Sequence, residues 1–272
     1  MKMKSSQGEN KMLIAEKYFR RYLKIAPLSV ALCRSVEAKY FSTIKMSPPV
    51  LDIGCGFGEF AEVFADQQID TGVDNSAGDL HECAKRGKYK NLVLADARDL
   101  PFLDNTYSTI MSISTMEHIK NVDKVFKEAY RVLRPNGIFA ISVETNEVDK
   151  YLMFRSFLNK VGLSLLNTYL IHAFNIIFHR HTVLSKKEWE VKIKKTGFII
   201  DESRSIMSPT IIKLFNIFIA TAWISQLFRP ILNKRIVYRP QFITNLLTSL
   251  FLKYVDDENT AGTVLFLIAR KP

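Results

Sequence analysis

The chain has 272 residues, of which 47% are hydrophobic and 24% are charged. These proportions are typical of a folded protein and exclude a largely disordered one, and the length allows one α/β domain with additions. The net charge of +11 is unevenly distributed: residues 1–47 carry +7, residues 48–145 carry −5 and residues 146–272 carry +9. The basic flanks favour contact with an anionic surface, either phospholipid or nucleic acid, and ordinary solvated charge is the alternative.

The cysteines and the N-terminal segment indicate a cellular location. Cys33, Cys55 and Cys83 are widely spaced and form no Cys/His cluster, so no metal site is predicted and a reducing cytosol fits best. Charges recur through the first helix, as at Glu16 and Lys17, so no secretory signal peptide is expected. We therefore expect a cytoplasmic protein that can attach peripherally to the inner face of a membrane.

In chain order, two helices are predicted before the first strand. Asn10 precedes an apolar-periodic stretch that is broken at Pro27, and a second stretch runs from Leu28 to about Ile44. Short apolar runs then alternate with amphipathic segments, at residues 50–53, 69–73, 92–95, 109–113 and 137–143. This alternation is typical of a parallel sheet with crossover helices. Two later strand-like runs, at residues 197–200 and 263–269, are expected to complete the sheet.

A glycine-rich turn follows the first predicted strand, in the sequence Asp52-Ile-Gly-Cys-Gly-Phe-Gly58. Glycines allow the backbone to approach a ligand closely, although a simple tight turn between a strand and a helix is the alternative. The next strand ends at Asp74, whose carboxylate can accept hydrogen bonds from both ribose hydroxyls of an adenosine. That feature also suits NAD, but the GxGxG spacing and the second acidic residue, Asp96, count against it.

Together with residues 107–119 and 131–137, these motifs resemble the class I S-adenosylmethionine-dependent methyltransferases, specifically the small-molecule group that includes quinone and sterol methyltransferases. The resemblance covers roughly residues 48–145 and implies a Rossmann-like α/β fold, with a seven-stranded, mostly parallel sheet and helices on both faces. It also implies S-adenosylmethionine as the cofactor. The residues that it places around the cofactor are Asp52, Gly54, Cys55, Gly56, Gly58, Asp74, Asn75, Asp96, Ala97 and Ser112.

Within this set the resemblance implies separate roles. Asp52 and the glycine turn would surround the amino-acid portion of the cofactor, Asp74 would hold the ribose, and Asp96 would accept a hydrogen bond from the adenine amino group, with Ala97 alongside. One departure is Ser108, where the family commonly has an aspartate, and we expect this change to affect local packing more than cofactor binding.

His118 is the candidate catalytic residue. An imidazole with a pKa near neutrality can accept the proton that a methylated oxygen or carbon loses. The alternative is a histidine that only shapes the pocket. Methyl transfer needs little more from the protein than alignment of the two reactants, so a catalytic side chain is not obligatory.

Three apolar segments follow the cofactor motifs. Residues 161–178 contain no formal charge apart from His172, and their polar members recur every three or four residues, which predicts one polar helical face formed by Ser164, Asn167, Thr168, His172 and Asn175. Residues 214–228, which include Trp223, and residues 243–252 are also apolar. The second segment is bordered by Lys213, Arg229, Lys234, Arg235 and Arg239.

These segments are too short or too interrupted to cross a membrane, which takes about 20 apolar residues. Their cationic borders favour an interfacial lid on an anionic bilayer, and the alternatives are core helices or a dimer interface. The predicted organisation is therefore an N-terminal helical segment (residues 1–47), a cofactor-binding core (48–145), and a substrate lid with apolar helical insertions plus the last strands (146–272).

The predicted function is methyl transfer to a hydrophobic, lipid-like or membrane-associated small molecule such as a quinone, an isoprenoid lipid or a lipid-linked saccharide. An RNA methyltransferase is an alternative, but the fourth strand is not followed by an Asn/Asp-Pro-Pro-aromatic turn, so a nucleic-acid partner is not expected. A non-catalytic, cofactor-binding partner subunit is the third interpretation. The sequence carries no indication of the oligomeric state.

Overall fold

The computed structural model describes residues 2–152, 155, 158–159, 161–227, 239–257 and 262–272. Helices and strands alternate through the central part of the chain, as the sequence predicts. The strands are β1 Val50–Ile53, β2 Ile69–Asp74, β3 Tyr89–Leu94, β4 Tyr107–Ile113, β5 Leu133–Glu144, β6 Ile199–Ile206 and β7 Val264–Arg270. The helices are α1 Lys2–Ile25, α2 Leu28–Phe41, α3 Glu59–Phe64, α4 Ala77–Ala84, α5 Val122–Val132, α6 Ser164–Ile177, α7 Lys186–Lys195, α8 Pro209–Leu227 and α9 Gln241–Val255.

Within the described part of the chain, the strands form one seven-stranded sheet in the order β3-β2-β1-β4-β5-β7-β6. The first five strands are parallel, and β7 lies antiparallel between β5 and β6. The predicted Rossmann-like fold is confirmed. Because the chain turns to opposite sides of β1 to form β2 and β4, a crevice opens at the carboxyl end of β1, the position where ligands bind in sheets of this kind.

Several element boundaries differ from the sequence prediction. Strand β3 begins at Tyr89, three residues before the predicted apolar run, because Tyr89 pairs with Ile69 on β2. Strand β6 continues to Ile206, which pairs with Val264. Helix α1 begins before Asn10, the expected start. Pairing to a neighbouring strand extends a strand beyond its own apolar residues, so the apolar run alone underestimates its length.

The N-terminal helices pack against the sheet. Phe41 at the end of α2 is fully buried and lies edge-on to Phe60 of α3 and Phe266 of β7, with ring centroids 5.6 Å and 5.4 Å apart. One hydrophobic core therefore includes residues from all three predicted segments. The division at residues 47/48 and 145/146 stays a prediction about chain organisation.

The three apolar segments differ in their packing. The first half of α8 is buried at Ile211 and Ile212, and Phe218 stacks edge-on to Phe251 of α9. These two helices thus contribute to the core, which is the alternative that the sequence analysis left open. The Trp223 side chain and residues Arg229, Lys234 and Arg235 lie outside the described residues. Among the described residues, no helix combines the length and hydropathy needed to cross a membrane.

Helix α6 is different because part of its apolar surface is exposed. Leu165 and Tyr169 are 78% and 72% exposed, and Ile176 and Ile177 are also exposed. The predicted polar positions lie on one side of this helix, but that side is not uniformly exposed: Asn167 is buried, whereas Thr168 and His172 are exposed. The two amides have polar partners, since Asn167 donates to Asn159 (3.0 Å) and Asn175 accepts from Arg180 (2.8 Å).

Candidate functional site

The turn after β1 is held by hydrogen bonds to β2. The backbone nitrogens of Gly54 and Cys55 both donate to the carbonyl oxygen of Val73, at 2.8 Å and 3.0 Å. Gly54 has a φ of +80°, and a Cβ at this position would lie 2.2 Å from Cγ2 of Thr115. Any side chain here would displace the segment that follows β4.

The next glycine of the turn faces open space. Gly56 has a φ of +50°, and no atom of the described residues lies within 4 Å of the position that a Cβ would take. Because Gly56 also lines a cavity, a side chain there would intrude into it. Gly58 has a different role: it lies at the start of α3, and its Cβ would be 2.7 Å from Sγ of Cys83. Gly58 thus allows α3 and α4 to approach each other.

Asp74 closes the turn from the end of β2. One carboxylate oxygen accepts a hydrogen bond from the Gly56 nitrogen (2.8 Å) and the other accepts from the Ser76 nitrogen (3.0 Å). Each oxygen retains a second lone pair for a ligand. Asp74 therefore shapes the glycine turn as well as presenting acceptors to the adjacent cavity, where Asn75 lies beside it.

Asp52 is a buried carboxyl group, only 2% exposed. Its Oδ2 accepts a 2.6 Å hydrogen bond from the Tyr89 hydroxyl, and its Oδ1 has no hydrogen-bond partner among the described residues. Burial raises the pKa of Asp52 to about 7, and the nearby Asp74 carboxylate adds to the effect, while the Tyr89 hydrogen bond opposes it. A cation beside Oδ1 would supply the missing partner.

Two cavities meet beside this turn. The larger, of about 840 Å³, is lined by Asp74, Asn75, Asp96 and Ala97. The smaller, of about 380 Å³, is lined by Asp52, Cys55 and Gly56 and extends toward α6 and α8. The walls of both cavities share Gly54, Phe57, Thr115, His118 and Phe178. A ligand that fills the larger cavity can thus present a reactive group to the smaller one.

Asp96 faces the larger cavity in an ion pair with Arg98, whose Nη2 lies 2.6 Å from Oδ2. The side-chain hydrogen bonds from Arg98 lower the pKa of Asp96 below its usual value. The group is therefore an ionised acceptor at neutral pH. Its predicted contact with an adenine amino group stays a prediction.

His118 lies in the walls of both cavities, at the end of a 3₁₀ turn formed by Met116–His118. Its Nδ1 is 3.2 Å from the carbonyl oxygen of His179. A carbonyl only accepts, so Nδ1 carries the proton and Nε2 has the free lone pair when the ring is neutral. Enclosure in the cleft lowers the pKa of His118, which favours that neutral form. His118 thus forms part of the cavity wall, and its role as a proton acceptor stays a prediction.

Two predicted cofactor residues, Gly58 and Ser112, line neither described cavity; Ser112 lies deeper in the sheet. It is fully buried inside β4, and its hydroxyl donates to the carbonyl oxygen of Ile53 at 2.8 Å. That bond ties β4 to β1, and the side chain lines neither described cavity. Ser112 therefore supports the sheet beneath the turn.

The sequence analysis did not predict the group of charged residues in the wall of the smaller cavity. Its ionisable members are contributed by α2, the 3₁₀ turn, the end of β5 and the loop after α6: Arg34, Glu37, Glu117, Glu144 and Arg180. One usable signal was the pair of charged residues three positions apart on α2, a helix that is otherwise largely buried. The others are distant in sequence, and only the fold brings them together.

Comparison with known proteins bears on these cavities. A family described as a methyltransferase domain matches residues 51–141, the segment that builds the glycine turn and the first five strands. The chain contains a class I S-adenosylmethionine-dependent methyltransferase domain. The cofactor of this methyltransferase is S-adenosylmethionine, and the seven-stranded sheet has the fold of the family.

Relatives of this methyltransferase include enzymes named for lipid-like compounds. It is 28% identical over 183 residues to a demethylmenaquinone methyltransferase of Symbiobacterium thermophilum, which covers 60% of this chain and 72% of the relative. It is 30% identical over 144 residues to a sterol 24-C-methyltransferase of Pneumocystis carinii, covering 49% of this chain and 38% of the relative. The chain thus spans well under half of that sterol enzyme.

Solved structures share the fold at low sequence identity. A Thermotoga maritima protein described as a possible histamine N-methyltransferase has a TM-score of 0.58 and 15% identity, covering 96% of this chain and all of the other. The [4+2]-cyclase SpnF has a TM-score of 0.55 and 19% identity, covering 89% and 81%. Proteins named for different reactions share this fold, so the acceptor must be argued from the site.

The residues present fit the cofactor of the family. The unpartnered Oδ1 of Asp52 and the open side of Gly56 suit the ammonium and backbone of its amino-acid portion, and Asp74 offers acceptors for the ribose. When bound, the cofactor supplies an electrophilic methyl group on a sulfonium. The chain's own contribution would be to align that group with an acceptor through the residues that both cavities share and to exclude water from it.

Asp74→Ala is expected to lower the affinity for S-adenosylhomocysteine about tenfold to a hundredfold, because a polar group left unpaired in a site costs about 1–3 kcal/mol. Isothermal titration calorimetry measures the change. Asp201→Ala is the matched control, since Asp201 pairs with Arg270 at the edge of the sheet away from the cavities. Equal affinity of the Asp74 variant and the native protein would rule out this assignment.

Binding of S-adenosylhomocysteine at about pH 6 is expected to release close to one proton, because Asp52 is mostly protonated in the free protein and an ammonium group favours its carboxylate. At about pH 8.5 the carboxyl group is already ionised, so the release vanishes. Calorimetry in buffers of different ionisation enthalpy gives the proton count. Asp52→Asn should abolish the release at pH 6, and a release that persists in this variant would assign the proton elsewhere.

Proposed function

We propose that this enzyme methylates a hydrophobic, lipid-like small molecule such as a quinone, an isoprenoid lipid or a lipid-linked saccharide, while it is docked peripherally on a membrane. The observation that carries the proposal is the continuity of the cofactor crevice with a cavity that has many apolar side chains in its wall. These include Val148, Leu152, Phe174, Phe178, Ile212 and Phe215. Apolar walls favour an apolar acceptor because its burial removes apolar surface from water.

The outward face of α6 supports membrane docking. Phe174 and Phe178 of this segment line the smaller cavity, while Leu165 and Tyr169 are exposed on the other side of the helix. A contiguous exposed apolar stripe is costly in water and is common at interaction surfaces. An acceptor that leaves a bilayer beside α6 would have only a short distance to travel to the cavity.

The relatives named for menaquinone and sterol methylation agree with a lipid-like acceptor, at identities near 30%. The RNA alternative is less favoured because several cations outside the cofactor motifs face inward. Lys39 pairs with Asp256 at 2.7 Å, and Arg239, predicted to border an apolar segment, donates to the carbonyl oxygens of Leu23 and Ala26 at the end of α1. These groups are not available to contact phosphates.

Incubation of the protein with methyl-labelled S-adenosylmethionine and a membrane lipid extract from its own source is expected to transfer label into the organic phase. Mass spectrometry of the labelled fraction then identifies the acceptor. The Asp74→Ala variant serves as the control, because its weakened cofactor site should reduce the label. Label confined to water-soluble products, or no transfer despite measurable cofactor binding, would contradict the proposal.

Leu165→Glu is expected to weaken binding to vesicles that contain phosphatidylserine by roughly tenfold, since burial of a large apolar side chain contributes about 1.5–3 kcal/mol and the new charge adds a further cost. Co-sedimentation measures the bound fraction. Leu103→Glu is the matched control, because Leu103 is 83% exposed on the loop that leads into the amino end of β4, whereas the cofactor turn lies at the carboxyl end of the parallel strands. Equal loss in both variants would show that α6 is not the docking surface.

A further inference from the structure

The smaller cavity has a group of ionisable residues in its wall that the methyl transfer itself does not explain. They are Arg34, Glu37, Glu117, Glu144 and Arg180, and they line the cavity together with apolar side chains, one of which, Phe174, lies against the Arg180 guanidinium. An apolar acceptor alone would not require charged groups here, and burying them is costly unless they are paired. Their arrangement therefore carries information about the polar end of the acceptor.

Both arginines have carboxylate partners. Arg34 donates from Nη1 to Oε2 of Glu37 at 2.8 Å, and Arg180 lies 2.9 Å from Oε2 of Glu144 and donates to Oδ1 of Asp149 at 2.7 Å. A guanidinium that is already paired offers little positive charge to a further anion. The cavity thus lacks the cationic surface that a phosphate or carboxylate acceptor would need.

Glu117 is the carboxyl group with unused hydrogen-bonding capacity. It is 1% exposed, its Oε1 accepts a long hydrogen bond (3.4 Å) from the Glu144 nitrogen, and its Oε2 has no partner among the described residues. Its own carbonyl oxygen accepts from the His181 and Thr182 nitrogens at 2.8 Å and 2.9 Å. The backbone therefore holds this residue in place beside the cavity.

The charged groups around Glu117 come from every neighbouring element. Arg34 and Glu37 face the cavity from α2, Glu144 from β5 and Arg180 from the loop after α6, while His118 follows Glu117 in the same turn. Burial raises the pKa of Glu117 to about 8, and the Glu144 carboxylate contributes to the rise. At neutral pH the group is a carboxylic acid, which can both donate and accept one hydrogen bond.

We infer that Glu117 binds the polar end of the acceptor, and that this end is an uncharged oxygen group, a carbonyl or a hydroxyl. The inference rests on the proposed function, since it presumes that an apolar molecule occupies the cavity, and it adds the chemical class of that molecule's polar end. A phosphate or carboxylate would meet the unpartnered Oε2 of Glu117 and two arginines that already have carboxylate partners. An ammonium would lie beside the guanidinium groups of Arg34 and Arg180, which line the same cavity and repel it.

Three probes that share a ten-carbon alkyl chain and differ only in the polar end test this inference: 1-decanol, decylamine and decyl phosphate. Each is used below its micelle concentration and in the presence of saturating S-adenosylhomocysteine. Calorimetry at about pH 7 is expected to show that 1-decanol binds about tenfold or more tightly than the other two. Tighter binding of decylamine or decyl phosphate, or binding of none of the three, would overturn the inference.

Variants of Glu117 assign the selectivity to this residue. Glu117→Leu should lose about tenfold in affinity for 1-decanol, the effect of one hydrogen bond, while Glu117→Gln should retain most of it because the amide also donates and accepts. Glu202→Gln is the control, since Glu202 pairs with Arg204 on the edge strand β6. Equal affinity of Glu117→Leu and the native protein would overturn the inference, provided that both bind S-adenosylhomocysteine equally.

The pH dependence gives an independent readout that a merely structural role would not move. If the acid form binds the probe, the affinity for 1-decanol is constant below about pH 7 and falls above about pH 8, and Glu117→Gln removes this dependence. An affinity that rises through pH 8 would instead indicate an anionic Glu117 and overturn the inference. These measurements need no methyl transfer, so the two claims can be tested separately. The probe results can contradict the role of Glu117 while label still enters the lipid phase, and label can be absent from the lipid phase while the probes bind as expected.

Discussion

The turn between β1 and α3 is the constraint on which the rest of the site depends. Its backbone is fixed by two consecutive residues of β2: the Val73 carbonyl oxygen accepts from the Gly54 and Cys55 nitrogens, and the Asp74 carboxylate accepts from the Gly56 nitrogen. Gly54 has no room for a side chain because Thr115 lies against it. The turn therefore links the ends of β1, β2 and β4, and a change in any of them would move the wall that both cavities share.

The two buried carboxyl groups of the site act in complementary ways. Both line the smaller cavity, Asp52 from β1 and Glu117 from the 3₁₀ turn after β4. Burial raises the pKa of each, to about 7 and about 8. Keeping both groups ionised in the free protein would carry a large desolvation cost. Because a bound ligand supplies the missing hydrogen-bond partners, ligand binding changes how readily each carboxyl group holds its proton.

Arg180 connects the apolar helix α6 to the sheet. Its guanidinium contacts Glu144 at the end of β5, Asp149 in the following 3₁₀ turn and Asn175 on α6. Asn175 is thus held on the inner side of α6, while Leu165, Ile176 and Ile177 are exposed on the outer side. This contact explains how a helix beside the cavities can present an apolar surface and stay attached to the sheet.

The sequence by itself determined the alternation of strands and helices, the glycine turn, and the acidic residues at the ends of β1, β2 and β3, because each of these is a local pattern of residue types. It did not predict that Asn167 is buried or that Ser112 lies within the sheet beneath the turn, since packing against other elements decides which side of a helix or strand is covered. The grouping of Arg34, Glu37 and Glu117 was decided only by the tertiary structure. These residues come from elements that meet because α2 packs against the sheet, and no local spacing records that contact.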